Sequence, residues 1–128
     1  MAHYLLSAET NFSAAHRLPG VETCDRIHGH NWRVRLTVRV EAAVLGASGM
    51  ALDFRELERT VRDAVEDFEH RDLNALPPFA GTAPTAEHVA RIVCERARDA
   101  LQHTGTAVRV EEVEVWETPT CRVVYRPA

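Results

Sequence analysis

The chain has 128 residues, 45% hydrophobic and 27% charged, with a net charge of −4 and a pI near 6.0. That length predicts one domain spanning residues 1–128, which buries roughly two-thirds of its unfolded surface and needs neither disulfides nor a structural metal for its core. The composition speaks against disorder and coiled coil. The acidic balance leaves no footprint for nucleic acid or an acidic membrane, and no apolar run approaches the ~20 residues of a membrane span. Met1-Ala2-His3-Tyr4 does not begin a basic-then-apolar leader, so a cytoplasmic protein is expected.

Residues 4–13 alternate apolar and polar and predict a strand. The signal is stronger over 32–41, where Trp32, Val34, Leu36, Val38 and Val40 alternate with Arg33, Arg35, Thr37, Arg39 and Glu41, the pattern of an antiparallel strand with one buried face. Gly46-Ala47-Ser48-Gly49 is a turn. Asp53 caps a helix that has Glu56 at its third position and apolar residues at helical spacing from Phe54 to Phe68, so it should run to about residue 69. After a proline-rich loop, Thr85 caps a second helix with Ala86, Val89, Ala90, Val93, Ala97 and Leu101 on its inner face, ending near Gly105. Residues 107–117 and 121–126 predict two final strands, with a bulge at Glu111-Glu112 where the alternation changes phase. The order β-β-α-α-β-β predicts an α+β fold on a four-stranded antiparallel sheet, whose edges invite pairing between subunits.

Three constellations carry chemistry. His28 and His30 flank Gly29, so in an extended chain both imidazoles point to one side, and an antiparallel partner could bring His16 alongside. Three neutral imidazoles with an open fourth position form a catalytic zinc set, whereas scattered surface histidines are the plain alternative. Cys24 lies four residues before His28. It is either a small buried thiol, a base of lowered pKa beside a cation, or a fourth ligand that would close the site. Glu69-His70 ends the first helix. It is an acid/base pair only if the helix stops short of it, and otherwise His70 is a cation at a helix C-terminus. Glu117, at a strand end, can accept two hydrogen bonds from an aminopyrimidinone edge, or it is a solvated strand residue.

Taken together, Phe12-Ser13-Ala14-Ala15-His16-Arg17-Leu18, Cys24-xxx-His28-Gly29-His30, Leu52-Asp53-Phe54, His70-xx-Leu73-Asn74, Pro84-Thr85-Ala86-Glu87 and Glu117-Thr118 resemble the 6-pyruvoyltetrahydropterin synthase / 6-carboxytetrahydropterin synthase family, in family order and over nearly the whole chain. The resemblance implies the tunnelling fold, with two helices inserted between strands 2 and 3. It also implies a homohexamer built as a dimer of trimers, active sites between subunits, and 7,8-dihydroneopterin triphosphate as substrate. By matched position, His16, His28 and His30 would bind Zn2+ and Cys24 would be the general base or proton shuttle. His70 from a neighbouring subunit, paired with a carboxylate, would assist proton transfer. Glu117 would anchor the pterin, with Thr85 and Glu87 in the segment that forms its pocket.

The short Cys-xxx-His-Gly-His spacing resembles the bacterial 6-carboxytetrahydropterin synthase branch. That branch implies a lyase releasing triphosphate and acetaldehyde, in queuosine or other deazapurine biosynthesis. The alternatives are triphosphate elimination alone, giving the pyruvoyl product, and a non-catalytic pterin-binding module with structural zinc. One position departs from the pattern: Glu69 stands where the family usually has aspartate, with Asp72 as a nearby substitute.

Overall fold

The computed structural model describes residues 1–105 and 107–128. Strand β1 (His3–His16) and strand β2 (His28–Glu41) pair antiparallel along their whole length. Helix α1 (Phe54–Val65) follows, then a short strand β3 (Arg71–Asp72), helix α2 (Ala86–Gln102), and strands β4 (Arg109–Thr118) and β5 (Cys121–Tyr125). The sheet order is β3-β1-β2-β4-β5.

The four long strands form the expected antiparallel sheet, but β3 adds a fifth, parallel to β1 through Ala14↔Arg71 and Ala15↔Asp72. Two residues cannot show a period, so this strand leaves no sequence signal. The sheet is therefore mixed, and the two helices lie between β2 and β4. Both first strands run longer than predicted, because β1 continues to His16 and β2 already starts at His28. The anticipated bulge is present: Thr37 pairs with Glu112 and Val38 with Val110, leaving Glu111 as the extra residue.

Alternation sets the layers. Phe12, Trp32, Val34, Leu36, Val38, Val113 and Val115 face the helices and are buried. Leu57, Val61, Ala64 and Val65 of α1 and Val89, Val93, Ala97 and Leu101 of α2 close the other side of that core. Helix α1 is capped by Asp53, whose side chain accepts from the Arg55 amide, and α2 by Thr85, which accepts from the His88 amide. Helix α1 stops four residues short of its predicted end, and Glu66–Phe68 tighten into a 3₁₀ turn that buries Phe68. The outer face of the sheet is charged. Glu114, 5% exposed, is held between Arg35 and Arg122 at 3.0 and 2.8 Å, and the Arg33 guanidinium stacks 3.9 Å over Trp116.

No helix is long and apolar enough to cross a membrane among the described residues.

Candidate metal centre and active site

The inner face does not end with its apolar residues. Past Phe12 and Ala14 on β1 the next inward position is His16, and before Trp32 on β2 the inward positions are His30 and His28. Register then does the assembly: Phe12 faces Trp32, Ala14 faces His30 and His16 faces His28. The connecting loop is pinned by Arg17 on Asp25 at 2.9 Å and by the Leu18 amide on the Cys24 carbonyl. The Asn74 side chain also bonds both backbone groups of Arg17, like a strand partner.

The three rings meet edge to face, with centroids 4.6, 5.1 and 4.9 Å apart, and offer nitrogens that all lie within 4.8 Å of one another. The protein also selects the tautomers. A carbonyl can only accept, so the 2.8 Å contact of His16 Nδ1 with the Pro84 carbonyl and the 2.7 Å contact of His28 Nδ1 with the Arg26 carbonyl place the proton on Nδ1 in both. In the neutral ring each is then left with a free Nε2 lone pair. Trp32 forms the floor, 5.1 Å from His16 and 5.7 Å from His30, its indole N–H donated to the Ala14 carbonyl.

His16 Nε2 and His30 Nε2 are buried without a hydrogen-bond partner. An orphaned buried nitrogen costs free energy, and two aimed at one point call for a shared partner. Burial holds the His30 pKa below its ordinary value. Nearby Glu117 opposes that shift, while His16 and His28 reinforce it. A lowered pKa keeps the imidazole neutral and able to bind a metal. Glu117 Oε1 lies 3.3 Å from His30 Nε2 without hydrogen-bond alignment. Among the described residues no thiol or carboxylate joins the three imidazoles. This donor set, three imidazole nitrogens with no thiolate among them, fits Zn2+.

Cys24 is half-buried in the loop between the ligand strands, its sulfur outside the cluster. Glu117 is the extra residue of a second bulge, between Trp116↔Arg122 and Thr118↔Cys121, at the histidine end of β4. It lines a cleft of about 190 Å³ with Glu87, Cys121 and Arg122. Thr85 is engaged as the α2 cap.

Glu69 and His70 stand elsewhere. Because α1 ends at Val65, their side chains do meet, with Glu69 Oε1 3.2 Å from His70 Nε2 and also accepting from the Ser13 amide at 3.3 Å. Asp72 is occupied, its carboxylate accepting from the Asn74 amide. His70 adopts φ +56° and donates its amide to the Ser13 carbonyl at 2.7 Å. With Ser13, Ala15, Gly29, Asn31 and His30 of the cluster it lines a cleft of about 490 Å³. Ser13, Ala15, Gly29 and Asn31 alternate to the outer face of the sheet, whereas His30 belongs to the inner face. Sequence reading missed the backbone carbonyls of Pro84 and Arg26, which carry no residue signature. It also missed Trp32 as the cluster floor, since its alternation marks only a core position.

The family model described as 6-pyruvoyl tetrahydropterin synthase matches residues 5–128. The chain belongs to the 6-pyruvoyl tetrahydropterin synthase family. It is a lyase of the pterin synthase kind, on the tunnelling fold. Among relatives of this family, the 6-carboxy-5,6,7,8-tetrahydropterin synthase of Bacillus subtilis is 33% identical over 131 residues, covering 95% of this chain and 84% of its own. An Archaeoglobus fulgidus protein provisionally named for the same activity is 35% identical over 111 residues, covering 86% of this chain and 89% of its own. The solved 6-pyruvoyl tetrahydropterin synthase of Caenorhabditis elegans superposes with a TM-score of 0.83 at 25% identity, over 100% of this chain and 98% of that one.

Proposed function

We propose that this chain is a zinc-dependent 6-carboxytetrahydropterin synthase. In this reading it converts 7,8-dihydroneopterin triphosphate to 6-carboxytetrahydropterin, releases triphosphate and acetaldehyde, and feeds queuosine or another deazapurine pathway. The observation that carries the reading is the three-imidazole cluster, whose orphaned Nε2 atoms converge while Cys24 stays outside it. A fourth thiolate ligand would have favoured a closed structural site, so its absence from the cluster favours the enzyme over a binding module. The two relatives named for the carboxy product, at 33% and 35% identity, support that product over the pyruvoyl one, for which the human relative is 29% identical.

His16, His28 and His30 would hold the zinc, which when bound supplies Lewis acidity toward the hydroxyls of the substrate side chain. Cys24, as thiolate, takes a proton from the side chain, and His70, oriented by Glu69, returns or relays one. Glu117 accepts from the exocyclic amine and a ring N–H of the pterin. Glu87 offers a second carboxylate in the same small cleft, and Thr85 holds the helix start beside it. In one chain His70 stands outside the three-histidine group, its side chain 81% exposed. That separation supports a homohexamer in which His70 serves the site of a neighbouring subunit. We read the chain as one cytoplasmic domain, residues 1–128.

Incubation of the zinc-loaded protein with 7,8-dihydroneopterin triphosphate, with mass analysis of the pterin and an acetaldehyde assay, tests the reading. The carboxypterin with stoichiometric acetaldehyde is the expected outcome. A pyruvoyl product without acetaldehyde would reassign the reaction, and unchanged substrate would reject it.

A further inference from the structure

The Pro84–Thr85 peptide unit is bonded at both ends. Its carbonyl accepts from His16 Nδ1 at 2.8 Å, and its N–H, that of Thr85, is donated to the Ala83 carbonyl at 2.9 Å. The orientation of the peptide plane that aims His16 is therefore set by where the Ala83 carbonyl lies. A bond between residues two apart is a γ-turn, a weak constraint by itself. Here the same carbonyl accepts a second bond, from His88 Nδ1 at 2.7 Å. His88 is in turn fixed from behind: its amide is donated to Thr85 Oγ1 at 3.2 Å, and α2 continues from it with the Val89 amide on the Thr85 carbonyl at 2.9 Å. The first turn of α2 thus reaches back through one imidazole and clamps the loop that holds a buried ring of the metal cluster.

We infer that His88 is a positioning residue for His16. It donates Nδ1–H to the Ala83 carbonyl and thereby fixes the plane of the Pro84–Thr85 peptide. That plane holds the His16 proton on Nδ1 and turns the His16 Nε2 lone pair toward His28 and His30. His88 touches neither metal nor substrate, and its effect travels through two backbone carbonyls. Outer partners that orient a ligating histidine typically change metal affinity about 10- to 100-fold when lost, and His88 acts one bond further out, so the lower end applies. The zinc part of this inference rests on the metal-centre reading above, whereas the tautomer part does not.

The test uses wild type, His88→Ala and His88→Asn. An asparagine amide nitrogen occupies the place of Nδ1 and can donate to the same carbonyl. Two readouts are taken: the imidazole 15N shifts of His16 in the metal-free protein, and zinc affinity by chelator competition, with cobalt substitution reporting ligand geometry. His88→Ala should show His16 as a tautomer mixture, bind zinc about tenfold more weakly and alter the cobalt spectrum, and His88→Asn should restore all three. A pure Nδ1–H His16 in His88→Ala overturns the inference, as does unchanged zinc affinity or an Asn variant no better than Ala. A wild-type protein that binds no zinc removes the metal reading, and the His16 tautomer then decides the role of His88 alone.

Discussion

The two histidine sites of this chain are built in opposite ways. The inner-face cluster is locked: His16 is fully buried, His16 and His28 have their Nδ1 protons tied to carbonyls, and Trp32 closes the floor. The His70 site on the sheet edge is open, with its side chain 81% exposed, Glu69 44% exposed, and a backbone torsion that non-glycine residues avoid. The difference teaches which half can work alone. A metal site needs preset donors at fixed distances, and one chain supplies them. The Glu69–His70 pair, proposed to move a proton, needs a substrate pressed against it, and one chain leaves it largely exposed.

The largest expected effect breaks the locked half. His28→Ala or His30→Ala should lose zinc, because two imidazoles leave the ion below the three protein ligands of a catalytic site. Metal analysis after dialysis checks this, and full occupancy in both variants would remove the assignment. Next, Cys24→Ala should keep zinc and lose about 10²–10⁴-fold in turnover, the usual contribution of a general base. Parallel loss of metal would make Cys24 a ligand and the site closed. Glu117→Gln should leave zinc in place and weaken a pterin ligand by about 1–3 kcal/mol, since an amide offers one acceptor and turns the second pair into donor against donor. Equal affinity in a titration would mean that Glu117 does not anchor the ring.

Legibility in the sequence followed the same division. The β2 pattern and both helix caps could be read directly, because alternation and capping are local rules. The three histidines were legible because His28 and His30 lie two apart and His16 ends the preceding strand, so pairing alone brings them together. The open half was not. The meeting of Glu69 with His70 depends on α1 stopping at Val65, and helix ends are set by packing, here the burial of Phe68 in a 3₁₀ turn. A helix continued to residue 69 would have splayed the two side chains apart. Strand β3, the left-handed torsion of His70 and the carbonyls of Pro84 and Arg26 are tertiary facts with no residue pattern behind them.

The smallest effect sharpens the contrast most, because it separates stability from function at one residue. His70 sits at φ +56°, where a Cβ crowds the backbone at a cost of about 1–2 kcal/mol and glycine is at ease. Its amide bond to the Ser13 carbonyl holds it there, and that bond survives any non-proline substitution. His70→Gly should therefore be more stable than His70→Ala by about 1 kcal/mol, part of the steric relief being offset by the greater freedom of glycine in the unfolded chain. Both variants should lose turnover while keeping zinc. Glu69→Gln, which leaves φ untouched and keeps an acceptor for the Ser13 amide, should lower turnover without the stability change. Denaturant midpoints for the three variants, set beside their turnover, decide the matter. If Gly and Ala at position 70 unfold together, the torsion carries no strain and stability gives no support to a chemical role for the histidine. If instead Gly is the more stable and both are inactive, a residue has been kept against the preference of its backbone, as expected of a side chain held for its chemistry.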